Sequence, residues 1–79
     1  MTEEELQLLI EVRQAIATGR ATRVRELAGL SRSELARRVG VRPATVSRWE
    51  AGVRRPGGKQ ALAYGRALRE ITEGLAIHG

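Results

Sequence analysis

A chain of 79 residues with no cysteine makes one small domain and excludes both disulfide stapling and a cysteine-based metal site. Its core must be compact and helical, or be completed by a partner chain. No apolar run approaches the roughly eighteen residues of a membrane span, and the acidic start is unlike a secretion signal, so an intracellular protein is expected.

The net charge of +5 conceals a polarity. Residues 1–19 set Arg13 against Glu3, Glu4, Glu5 and Glu11, a net −3, whereas residues 20–59 carry +8 and residues 60–79 balance to zero. Basic charge gathered in the middle of a small domain points to a polyanionic partner, nucleic acid before membrane. Thirteen of the fourteen basic residues are Arg. A GC-rich genome would also produce that bias, so the segregation of charge is the stronger signal.

Alternating β-branched runs are missing, so no strand is expected and the fold class is all-α. Five helices suggest themselves. The first opens at Thr2, with Glu5 three residues on as a capping-box partner, and runs to about Ala17 before Gly19. Its apolar residues Leu6, Leu8, Leu9, Ile10, Val12, Ala15 and Ile16 cover an arc wider than one packing stripe needs. Residues 1–19 are therefore set apart as an amphipathic helix with surface to spare, and residues 20–79 as the domain proper. Leu8, Val12 and Ala15 are the candidates on that helix for a dimer or partner surface.

A short second helix spans Arg20 to Ala28 and stops at Gly29. Ser31 caps a third, with Glu34 reaching back, which ends at Val39–Gly40. The fourth starts at Pro43, a residue suited to a first helical turn because its missing N–H would be unpaired there anyway. It stops at Gly52, and "VRRPGG" is a loop. The last helix begins at Gly58 or Lys59 and runs to about Glu73, with Ala61, Tyr64, Leu68, Ile71 and Leu75 as its apolar stripe. Ile71 and Leu75 are the second candidate dimer surface. The closing "AIHG" is expected to fray.

The third and fourth helices carry the most specific pattern. With Arg32 as position one, apolar residues fall at positions four (Leu35), eight (Val39), ten (Val41), fifteen (Val46) and eighteen (Trp49). Position five is the small Ala36, where two steeply crossing helices approach most closely. Position nine is Gly40, where the turn needs positive φ without a Cβ clash. This is the helix-turn-helix arrangement, whose second helix stands proud of the domain and fits the major groove of B-DNA.

"GLSRSELARRVGVRPATVSRWEAGVRRP" closely resembles the helix-turn-helix family of lambda repressor, Cro and the xenobiotic-response-element (XRE) regulators. The resemblance covers residues 21–75. It implies a compact five-helix bundle and a sequence-specific, double-stranded DNA-binding transcriptional regulator, a repressor of phage or prokaryotic type. Such a protein works at the nucleoid in the cytoplasm, as a homodimer on an inverted repeat, with helix 43–51 in the major groove. Two departures stand out. Arg42 replaces the Ser that usually caps the recognition helix, losing a side-chain cap worth about 1 kcal/mol. Pro43 and Ala44 occupy its exposed start, where relatives often place a polar reader such as Gln. They can contact bases only by packing, for instance on a thymine methyl.

By resemblance, hydrogen-bonded base contact then falls to Ser47 and Arg48. The phosphate set is Arg32, Arg42, Thr45, Arg54, Arg55 and Lys59. Trp49 shares its helical phase with Val46, which favours core packing over base stacking. Glu50 is expected to pair with an arginine of the domain, and Glu34 to serve as a cap partner. "GVRRPGGK" fails as a phosphate-binding loop, because its glycine spacing is wrong and Gln60 stands where Ser or Thr is needed. His78 is the single histidine, so no His-centred triad or multi-His metal site is credible. No enzyme activity, cofactor, metal or small-molecule site is expected. Two other readings use the same features. An antitoxin-like module would bind a protein partner through the first helix, with DNA binding secondary. A phage excisionase-type architectural protein would bend DNA across adjacent sites.

Overall fold

The computed structural model describes residues 1–78, with side chains through Ala76. Five helices follow in order: α1 (Glu3–Ala17), α2 (Arg20–Leu27), α3 (Arg32–Val39), α4 (Pro43–Glu50) and α5 (Gly58–His78). No strand occurs among the described residues.

Local chemistry sets most of the boundaries. Thr2 and Glu5 form a capping box at the start of α1, as Ser31 and Glu34 do at the start of α3. In each, the cap hydroxyl accepts from a backbone N–H and the glutamate accepts from the cap's own N–H. These bonds also hold both glutamate carboxyls below their usual range, the contacts with Thr2 and Ser31 being the leading causes. Gly19 is left-handed (φ 77°) and both ends α1 and begins α2. As expected for Arg42, α4 has no side-chain cap, and Pro43 occupies its first turn.

The end of α5 differs from expectation. It continues past Glu73 to His78. Gly74 interrupts the helical preference, but Leu75 beyond it packs on the core and rewards the extra turn. Gly79, at the end of "AIHG", lies outside the described residues.

α5 is the central strut, packing against α1, α2 and α3. Around it Val12, Ala15, Ala21, Val24, Leu35, Ala36, Val46, Trp49, Tyr64, Ala67 and Leu68 form one buried cluster. At Gly65 the backbone of α5 comes close to α1: a Cβ there would lie 3.0 Å from Val12 Cγ2 and 3.1 Å from Leu8 Cδ2. Leu8, Val12 and Ala15 are thus buried within the chain. This corrects their reading as a dimer surface, because α5 already covers the surplus arc of α1. The large apolar residues that α1 leaves open are Leu6 and Ile10, each about half exposed. Ile71 and Leu75 pack on the core and remain partly exposed.

Candidate nucleic-acid interface

α3 and α4 meet through the residues that their spacing singled out. Leu35, Ala36, Val46 and Trp49 are buried, while Val39 and Val41 are half-buried against the same cluster. Gly40 adopts φ 88°, and the N–H groups of Gly40 and Val41 both donate to the Ala36 carbonyl, at 2.8 and 3.0 Å. That closure ends α3 and swings the chain into α4. With Ala36 essentially inaccessible, Ala36→Leu is expected to cost about 1–3 kcal/mol by overpacking. Urea denaturation would measure that cost, and the splayed helices should also bind duplex DNA more weakly.

Two adjacent residues fasten the inner side of α4. The Trp49 ring lies 4.8 Å from that of Tyr64 on α5, tilted by 34°. Tyr64 is wholly buried, and its hydroxyl has no hydrogen-bond partner among the described residues, so burial pushes its ionisation well above the ordinary range. Glu50 accepts from Arg25 Nε at 2.7 Å, from Arg25 Nη2 at 3.2 Å and from Arg32 Nε at 3.0 Å. Arg25 also donates to the Leu30 carbonyl at 2.8 Å, which ties α2 to both α4 and the start of α3. Burial alone would raise the Glu50 carboxyl, but the bonds from Arg25 and Arg32 outweigh it and hold the group below its ordinary value. The sequence anticipated an arginine partner for Glu50 without naming Arg25.

The outer side of α4 is open. Pro43, Ala44, Ser47 and Arg48 are exposed, as are Arg42, Arg54, Arg55 and Lys59, while Thr45 is half-buried. Gly52 (φ 71°) folds the following loop back, so that the N–H groups of Val53 and Arg54 donate to the Arg48 carbonyl at 3.0 and 3.3 Å. The turn sets Arg54 beside the recognition helix. Gly40, Val41, Arg42, Thr45, Arg48, Arg54 and Gln60 line one shallow depression of about 480 Å³. Gln60 was not foreseen in this role, since only its place in the first turn of α5 brings it there.

Arg32 stands apart from that depression. Its side chain is half exposed, and Nε is engaged by Glu50. Arg38 donates to both Glu70 oxygens at 2.7 and 2.8 Å, joining α3 to α5 rather than reaching outward. No group of metal-ligating residues occurs among the described residues, and none of their helices is long and apolar enough to cross a membrane.

A helix-turn-helix family model matches residues 23–74, which runs from within α2 through most of α5 and leaves out α1. Neither a curated protein nor a solved structure gives a significant match. The matched stretch, with its buried α3–α4 seam and exposed α4 face, makes this chain a member of the lambda repressor/XRE-like helix-turn-helix family of DNA-binding regulators.

Proposed function

We propose that the protein is a sequence-specific repressor of phage or prokaryotic type that reads double-stranded DNA with α4. Ser47 and Arg48 would face base edges in the major groove, and Pro43 and Ala44 would pack on thymine methyl groups. Arg42, Thr45, Arg54, Arg55 and Lys59 would hold the flanking phosphates, with Arg32 at the start of α3 as an outer contact. One observation carries this reading: the α4 face opposite Trp49 is exposed and rimmed by arginines that form no ion pair among the described residues. Phosphate contacts of this kind fix register, whereas base-edge contacts confer preference.

One module makes few contacts, so the working unit is proposed to be a two-fold dimer on half-sites about 34 Å apart. With Leu8, Val12 and Ala15 buried, Ile71 and Leu75 near the end of α5 are the remaining candidates for its contact. Repression would follow from occupancy of a promoter.

Fluorescence anisotropy with duplex from its own promoter, against random duplex of equal length, tests the proposal. Tighter binding to the promoter is expected, and equal binding would reject sequence-specific reading. Arg48→Ala should remove about 1–3 kcal/mol of that preference, the worth of a bidentate guanine contact. Arg55→Ala should instead weaken all duplexes alike and make the salt slope shallower by about one unit.

A further inference from the structure

In the sequence Arg13 is the lone basic residue of an acidic helix, and it lies outside the stretch that the family model matches. The fold gives it different company. Arg13, Ile16 and Ala17 near the end of α1 meet Gly52, Arg54 and Arg55 after α4, around a recess of about 240 Å³. Arg54 also lines the depression beside Arg42, Thr45 and Arg48, so the two recesses join into one basic strip. Among the described residues no carboxylate lines either. Arg13, Arg54 and Arg55 are exposed, and among the described residues none forms an ion pair. By contrast, Arg25, Arg32, Arg38 and Arg69 each meet a glutamate. Guanidinium groups crowded around one recess repel one another, and an anion seated between them reverses the sign of that interaction.

We propose that this recess seats the phosphate backbone of duplex DNA flanking the groove that α4 enters, with Arg13 supplied by α1 as a phosphate-contacting residue. The inference rests on the DNA-binding reading above. A backbone suits the site better than a compact anion, because the basic strip is continuous with the edge of α4. The guanidinium fork matches phosphate oxygens, and the Ile16–Ala17 floor offers the sugar an apolar surface. A second copy meeting this chain through the same recess would set arginines against arginines.

The test is fluorescence anisotropy on a labelled random-sequence duplex about three helical turns long. Affinity is followed from about 50 to about 200 mM salt. Arg13→Gln should bind every duplex more weakly, with a log–log salt slope shallower by about 0.9. Its affinity would then fall across that range by about threefold less than that of the unmodified protein. Arg13→Lys should restore the slope. Arg20→Gln, which removes a charge from the separate recess that Arg69 and Gly65 line, should leave it unaltered.

An unchanged slope in Arg13→Gln, with the same circular dichroism, overturns the inference and leaves the DNA-binding reading standing. A change in oligomeric state by light scattering without a change in slope overturns it too, and makes the recess a protein contact. If the unmodified protein shows no salt-dependent binding to duplex, the DNA-binding reading itself falls.

Discussion

Replacing Glu50 by alanine is expected to destabilise the protein by about 3–5 kcal/mol, a large share of the stability a small domain possesses. The change strands Arg25, only 7% exposed, without its counter-charge. For a chain of this size the melting temperature should fall by more than about 12 °C, read by circular dichroism. Arg32→Ala should cost far less, since that side chain is half exposed and Glu50 keeps Arg25. A Glu50→Ala protein that melts like the parent would show that the pair contributes nothing.

The same pair implies a pH dependence with a definite sign. The folded carboxyl of Glu50 lies below its ordinary value of 4.5. Its contribution to stability is therefore complete above that ordinary value and is lost as pH falls through the lower, folded one. Glu50→Gln should remove this part of the acid sensitivity, flattening the dependence of stability on pH in the acid range.

Truncating Trp49 to alanine should cost about 3–5 kcal/mol, the usual range for a buried aromatic side chain. The residue is 1% exposed and packs at a tilt on Tyr64 across the gap between α4 and α5. Thermal denaturation would measure the loss, and Trp49→Phe should recover part of it. As the single tryptophan, it also reports its own surroundings. Its emission should shift to the red on unfolding and change little when duplex DNA is added. Strong quenching by DNA would instead place the ring against bases.

Much of the fold was legible because its punctuation is local. Thr2 with Glu5, Ser31 with Glu34, and the left-handed Gly19 and Gly40 each act within a few residues of a helix end, where sequence spacing and geometry coincide. The α3–α4 seam was legible for a related reason: seven positions in a short stretch must satisfy one packing geometry together. What spacing could not reveal was long-range. Arg25 and Glu50 stand 25 residues apart, Glu11 and Arg69 58 apart, and no periodicity relates them. The misreading of Leu8, Val12 and Ala15 has the same origin. The arc of α1 is surplus only until Gly65, far along the chain, is known to press α5 onto it. Arg13 was passed over because its helix is acidic overall, and only the returning loop after Gly52 gives it basic neighbours.

The bare backbone at position 65 also bears on how such a protein can be controlled. α1 sits outside the part of the chain that defines its family, yet it is seated so deeply on α5 that the two have no separate existence as surfaces. A molecule seeking the inner side of α1 would first have to pry that helix away. Doing so would unroof α5, which carries the Tyr64 ring that Trp49 of α4 packs on, so the inner side of α1 is open only to a partner that disturbs the core itself.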